Sequence, residues 1–262
     1  MDYDLCVIGG GINGTGIARD AAGRGLNVLL VEAQDLASAT SSASTKLVHG
    51  GLRYLEHYEF NLVKESLHER ETLLKSAPHI IWPLKFVLPH DQHLRPYWMI
   101  KAGMFLYDRL AGGFGFKRNA LAKSEALDFA TNPLADPLKN KYARGFSYSD
   151  CWVEDARLVT LNAMDAQELG ATVLTRTACV DLDVSHDKKS WNVHLQDLSG
   201  GDAFLMNAKV VVNAAGPWVR SLLDGSQLKP IRNRAKDFTP NVRLVKGSHI
   251  VVPKLYAGDH TY

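Results

Sequence analysis

Apolar residues fall along this chain in two rhythms. Asp4 to Ile8 is a short apolar run that predicts a buried strand, and Asn27 to Val31 is a second. Between them Ile17, Ala18, Ala21 and Ala22 recur at helical spacing, and Gly23 and Gly25 end that helix. Over residues 58–76, Leu62, Val63, Ser66, Leu67, Leu73 and Leu74 lie mostly on one side, while Glu59, Lys64, Glu65, Glu69 and Glu71 occupy much of the rest. That is the pattern of a helix covering a sheet, and Pro78 ends it. Ile80 to Leu88 reads as a strand despite Pro83. Pro96 opens a further helix that mixes Trp98, Met104, Phe105 and Tyr107 with Arg95, Lys101 and Arg109, as a buried cap helix or an interfacial one would. Gly112-Gly113-Phe114-Gly115 reads as a flexible turn.

The second half predicts a helix over Asp155 to Leu169, ended by Gly170. Strands follow at Thr172–Leu174, Ala178–Val184, Trp191–Asp197 and Phe204–Asn207, the last two joined by a Ser199-Gly200-Gly201-Asp202 turn into an antiparallel meander. Lys209 to Asn213 reads as a separate, fully buried strand that runs into Ala214-Ala215-Gly216, with Pro217 and Trp218 opening a helix. Residues 225–243 read as a polar, basic loop, and Ile250 to Pro253 as a strand.

Composition narrows the class. The chain has 262 residues, enough for two domains, with 46% hydrophobic and 22% charged residues, as in a globular protein with a full core. A net charge of +2 is too small to argue for nucleic acid. Cys6, Cys151 and Cys179 have neither paired nor metal-like spacing, and Cys6 reads as a small core residue. His90 and His93 lack a third ligand nearby and read as surface histidines. No signal peptide is expected, and no apolar run reaches spanning length, so membrane contact would be peripheral.

Candidate chemistry concentrates in two stretches. Gly9-Gly10-Gly11-Ile12-Asn13-Gly14 follows the first strand at once, and the second strand closes on Glu32. Strand, glycine turn, helix, strand and acid form the dinucleotide fingerprint. Gly9 makes the turn, Gly11 admits a pyrophosphate to the helix N-terminus, and Gly14 lets helix and strand pack closely. Glu32 accepts from an adenosine ribose, favouring FAD or NAD over NADP. The second stretch, Thr40 to Tyr54, has no apolar period. The hydroxyls of Thr40, Ser41 and Ser42 suit phosphate, Gly50 and Gly51 would let the backbone lie flat on a planar ligand, and Arg53 offers an anion fork.

With Tyr148-Ser149-Asp150-Cys151-Trp152, Asn213 to Trp218 and Lys246-Gly247-Ser248-His249, these stretches resemble the bacterial FAD-dependent aerobic glycerol-3-phosphate dehydrogenases along nearly the whole chain. The resemblance implies an α/β fold: a glutathione-reductase-type Rossmann FAD-binding domain of the D-amino-acid oxidase superfamily with a β-meander insertion, plus a partial, mixed α+β substrate-binding cap. Expected boundaries are residues 1–57 and 145–224 for the FAD domain and 58–144 and 225–262 for the cap. For cofactor binding it implies Gly9, Gly11, Ile12, Asn13, Gly14, Glu32 and Ala33, then Thr40, Ser41, Ser42, Lys46, His49, Gly50, Gly51 and Leu52, and finally Val180, Ala214, Ala215, Gly216 and Trp218. Arg53 and Tyr54 are expected to grip substrate, and His249 to touch it and serve as base.

The implied reaction oxidises sn-glycerol 3-phosphate to dihydroxyacetone phosphate and passes electrons to ubiquinone. The implied location is the inner face of the cytoplasmic membrane, peripherally attached, and a homodimer is also an expectation. Rival readings are an amine or 2-hydroxy-acid oxidase of the same fold, which would make peroxide from oxygen, and a catalytically incompetent flavin-binding fragment. Family members are roughly twice as long, so this chain alone is expected to bind flavin weakly and not to turn over. The basic stretch Pro230 to Arg243 is longer than the family leads one to expect and receives no function.

Overall fold

The computed structural model describes residues 2–112, 121–186, 188–225, 243–245 and 247–262. In chain order these form β1 (Asp2–Ile8), α1 (Ile12–Gly23), β2 (Val28–Val31), β3 (Leu47–Val48), α2 (Phe60–Ser76), β4 (Ile81–Pro89), α3 (Tyr97–Gly112), β5 (Glu125–Asp128) and β6 (Arg144–Val153). They continue with α4 (Asp155–Glu168), β7 (Thr172–Leu174), β8 (Thr177–Val184), β9 (Trp191–Asp197), β10 (Ala203–Asn213), α5 (Val219–Gly225) and β11 (His260–Thr261). The chain divides into two compact units, Met1–Ser44 with Asp155–Ser248, and Thr45–Glu154 with His249–Tyr262.

The first unit is built on a six-stranded sheet of order β7-β2-β1-β10-β9-β8. β1 is parallel to both β2 and β10, so its two edges are satisfied by hydrogen bonds. Its side chains alternate: Leu5 and Val7 join Ala18, Ala21 and Ala22 of α1 and Ala166 of α4, whereas Cys6 and Ile8 join Leu182, Val193 and Leu195 of the meander. Burial on both faces explains why β1 and β2 read as continuous apolar runs and not as alternating ones.

Two expected strands are one. Phe204–Asn207 and Lys209–Asn213 belong to the single β10, antiparallel to β9 over Ala203–Ala208 and parallel to β1 over Asn207–Asn213. Asn207 and Lys209 looked like a break because they are polar. Lys209 lies at the surface, and its Nζ pairs with Asp4 at 2.7 Å. Nor is the second half of β10 fully buried, since Val210 is 52% exposed.

The second unit holds a five-stranded sheet in which β6 pairs with β4 from Ile81↔Val153 to Pro89↔Gly145, and with β3 and β5 along its other edge. Directly opposed rings stack across this pair, Trp82 on Trp152 and Phe86 on Tyr148, with centroids 5.3 and 5.0 Å apart. Val63 and Leu67 of α2 and Tyr107 of α3 cover that face with Tyr148, while Val87 packs with Leu127 and Phe129 on the opposite one. On α3, Trp98 and Phe105 stay 68% and 60% exposed, whereas Met104 and Tyr107 are buried. No helix among the described residues is long and apolar enough to cross a membrane.

The boundaries differ from the expected ones for a simple reason. β3 pairs with Cys151 and Trp152, so Thr45 to His57 and residues 145–154 go with β4 in the second unit. Ile250 to Pro253 is not a strand. Ile250 and Val251 are 86% and 102% exposed, and the Lys85–Phe86 edge of β4 is taken by β11. β-branched residues do not form a strand without an edge to receive them. Residues 113–115 of the expected Gly-rich turn, 226–242 of the basic loop and Lys246 lie outside the described residues.

All three cysteines are free, and burial pushes the thiols of Cys6 and Cys179 up to about 12 and that of Cys151 up to about 11.

Leu30→Ala should destabilise the chain by roughly 2–5 kcal/mol, because the side chain is fully buried between layers. Val210→Ala, on an exposed face of the same sheet, should change stability by about 0.5 kcal/mol or less. Urea unfolding of both variants checks the contrast.

Candidate functional site

The glycine turn is a place where side chains do not fit. Gly9 has φ +116, and a Cβ on it would stand 2.5 Å from the Ala214 carbonyl oxygen. A Cβ on Gly14 would run into the Gly9 carbonyl oxygen. β1, α1 and the end of β10 therefore meet backbone to backbone. α1 begins after Gly11 with no side-chain cap and no acidic residue in its first turn, so none of its own side chains neutralises its positive end. Among its amides, Ile12 N donates to Ser41 Oγ at 2.9 Å.

Glu32, at the end of β2, accepts from Gly10 N at 2.6 Å through Oε2 and from Gln34 N at 2.8 Å through Oε1. It thus braces the turn, and a carboxylate with about four acceptor positions still has capacity for ribose hydroxyls.

These elements enclose a cavity of about 450 Å³. Of the sequence candidates, Gly9, Gly11, Glu32, Ala33, Thr40, Ser41, Val180, Ala214, Ala215, Gly216 and Trp218 line it. Ile12, Asn13 and Gly14 form the first turn of α1 instead. Ser42 donates its hydroxyl to the Ala39 carbonyl at 3.2 Å, closing the loop and not lining the cavity. Thr177, Ala178 and Leu222 also line it and were not singled out. Thr177 is legible in retrospect: its N–H donates to Glu32 O at 2.8 Å, which brings the start of β8 to the end of β2. A Cβ-free floor, a helix N-terminus and a carboxylate at a strand end fit the adenosine and pyrophosphate portion of a dinucleotide.

Lys46, His49, Gly50, Gly51, Leu52, Arg53 and Tyr54 lie in the second unit, so the stretch read as one from Thr40 to Tyr54 is divided after Ser44. The glycine pair has a packing reason beside the ligand one expected. A Cβ on Gly50 would strike the Leu67 side chain and stand 2.6 Å from Tyr107 Oη, and Gly51, at φ +68, would strike the Tyr54 ring. Both are demanded by packing within this unit. Arg53 and Tyr54 are exposed in the short 3₁₀ turn Leu52–His57, and His249 is exposed outside any helix or strand.

Beneath the loop lies a buried polar network that the sequence reading missed. Gly50 N donates to Tyr107 Oη at 2.9 Å and reaches Asp150 Oδ1 at 3.3 Å, while Tyr107 Oη donates to the Asp150 carboxylate at 2.9 Å. Arg70 Nη1 pairs with Asp150 Oδ1 at 2.6 Å and also donates to the Ser149 carbonyl at 3.1 Å. Arg70, Tyr107 and Asp150 are each 2% exposed. Burial pushes the Asp150 carboxyl up, and Arg70, Tyr107 and Gly50 oppose that by donating to it. Burial works to lower the Arg70 guanidinium, but the hydrogen bond and charge of Asp150 raise it on balance. Burial, then the Asp150 charge, push the Tyr107 phenol up, so it remains a donor. The available signal was Arg70 itself, a charge at the position after Val63 and Leu67 on the buried stripe of α2.

A profile of the family described as FAD dependent oxidoreductase matches residues 4–261. The chain belongs to this family. FAD is accordingly the cofactor of this FAD-dependent oxidoreductase chain, and the turn, Glu32 and the cavity have the donors and space that an adenosine diphosphate group requires. The chain is 56% identical over 261 residues to a glycerol-3-phosphate dehydrogenase of Pseudomonas aeruginosa, covering 99% of itself and 47% of that protein. It is 52% identical over 259 residues to a D-erythritol 1-phosphate dehydrogenase of Brucella abortus, covering 99% of itself and 49% of that protein. It thus spans about half the length of the curated relatives it matches. A glycerol-3-phosphate dehydrogenase from Bacillus halodurans, solved in complex with FAD, superposes with a TM-score of 0.63 at 30% identity over 86% of this chain and 36% of that one.

Glu32→Ala should weaken FAD binding by roughly 1.5–3 kcal/mol, the worth of charge-assisted hydrogen bonds. Titration of the apo-protein with FAD tests this, and an unchanged dissociation constant rejects the role of Glu32.

Proposed function

We propose that this chain forms the FAD-binding and part of the substrate-binding portion of a quinone-linked glycerol-3-phosphate dehydrogenase, active in a polypeptide of its relatives' length. The observation that carries this reading is the 56% identity over 261 residues with a glycerol-3-phosphate dehydrogenase. Bound FAD supplies the two-electron acceptor for oxidation of a secondary alcohol. The chain's own residues do the rest. Arg53, exposed and unpaired among the described residues, offers planar donors to the substrate phosphate, with Tyr54 beside it. His49, Gly50, Gly51 and Leu52 belong to the same loop. His249 is assigned the hydroxyl proton, imidazole being the side chain most used as a general base.

Ubiquinone as the onward acceptor, peripheral attachment to the inner face of the cytoplasmic membrane, and a homodimer are part of the proposal. The exposed Trp98 and Phe105 on α3, interspersed with Arg95 and Lys101, support the membrane contact. The 52% identity to a D-erythritol 1-phosphate dehydrogenase favours a second reading, a longer polyol phosphate oxidised by the same means.

The test is anaerobic addition of glycerol 3-phosphate, and separately D-erythritol 1-phosphate, to the FAD-loaded intact protein. Flavin bleaching by the first at the higher kcat/KM supports the proposal, and preference for the second replaces the substrate. Peroxide formed stoichiometrically in air with no added quinone or dye would establish an oxidase instead.

Arg53→Ala should raise KM for glycerol 3-phosphate while FAD content stays normal. His249→Asn should slow anaerobic flavin reduction by about 10²–10⁴-fold, the usual range for general-base catalysis. Loss of flavin in the first variant, or a wild-type single-turnover rate in the second, removes the assignment.

A further inference from the structure

We infer that Tyr107 and Asp150 are positioning residues: they hold the Gly50 amide, and through it fix the His49–Tyr54 loop in the conformation that presents His49 and Arg53 to the substrate phosphate. The phosphate part of this inference rests on the functional reading above; the fixing of the loop does not.

The loop does not adopt this shape by local preference. Inside the loop Gly51 takes the left-handed region at φ +68, and on its two flanks Lys46 at φ +56 and Tyr58 at φ +60 occupy it too, which non-glycine residues avoid. Such a conformation persists where surrounding contacts over-determine it. Here those contacts come from α2, α3 and β6 at once, through Arg70, Tyr107 and Asp150. Apolar residues of similar volume would hold three such elements together as well as a buried ion pair does. What they would not do is accept a hydrogen bond from Gly50 N, and that amide is the point at which the network reaches the loop.

The network also sets what the loop offers. Gly51 N donates to His49 Nδ1 at 3.0 Å. An Nδ1 that accepts leaves the ring proton on Nε2, so exposed His49 presents an N–H donor. Arg53, four residues on, presents a guanidinium. Both are suited to phosphate oxygens, and both are displaced if Gly50 and Gly51 move.

Tyr107→Phe keeps the ring and removes the hydroxyl. Gly50 N is then left with Asp150 Oδ1 at 3.3 Å alone. Hydrogen exchange over residues 49–54 of the 262-residue chain should rise by roughly five- to tenfold, the equivalent of one hydrogen bond, with α2 and β6 unchanged. In the intact protein KM for glycerol 3-phosphate should rise by a similar factor with a smaller change in kcat, while the FAD dissociation constant stays within about twofold.

Tyr148→Phe is the control. Its ring packs edge-on to Tyr107 at 6.1 Å, and it should change neither reading. The pair Asp150→Asn with Arg70→Gln removes both buried charges together and should reproduce the Tyr107→Phe effect if it folds. Unchanged exchange at 49–54 in Tyr107→Phe overturns the inference. So does raised exchange with unchanged KM. A wild-type protein inactive toward glycerol 3-phosphate refutes the functional reading, while the exchange comparison still decides whether Tyr107 fixes the loop.

Discussion

The close approach of Gly14 to the carbonyl oxygen of Gly9 is the constraint on which the first unit depends. No side chain fits there, so α1 lies against the end of β1 and its N-terminus opens at Gly11 onto the cavity. Ala214 closes the same point from β10, its carbonyl close enough to exclude any Cβ on Gly9. Because β1 is hydrogen-bonded on both edges and buried on both faces, this meeting of three backbones cannot slide. Glu32 then ties the turn to β2 through the Gly10 amide. The turn and the cavity beside it are thus fixed by backbone geometry and one carboxylate, with little contribution from flexible side chains.

The first unit was readable for that reason. Glycine spacing, an acid at a strand end and a run of small residues are each the direct mark of a steric demand, and the demands concern residues near one another in sequence. The meander was readable from alternation and from one Gly-Gly turn. β10 misled because polarity at Asn207 and Lys209 was taken for an interruption, when the strand runs unbroken through a part-buried Asn207 and a solvent-facing Lys209. Ile250 to Val252 misled in the opposite direction: β-branched residues describe a preference for pleated surfaces, and no sheet edge meets them.

The second unit was harder because its demands are non-local. Gly50 is a glycine on account of Leu67 and Tyr107, residues 17 and 57 positions away. Asp150 is accommodated in a buried place by its partner Arg70, 80 positions away. Nothing in the 40–54 stretch distinguishes a glycine required by a ligand from one required by a neighbouring helix. Its division between two units follows from the pairing of β3 with β6, a two-residue strand too short to announce itself by pattern.

The three thiols carry a practical consequence. The thiolate is the reactive form of cysteine, and burial shifts Cys6, Cys151 and Cys179 upward, toward the neutral thiol. Cys6 and Cys151 are also buried away from alkylating and oxidising reagents, whereas Cys179 is only partly buried and lines the cavity. A cysteine introduced on the exposed face of α3, beside Trp98 or Phe105, would accept a fluorescent or spin label once Cys179 alone had been replaced, with the two core cysteines left in place.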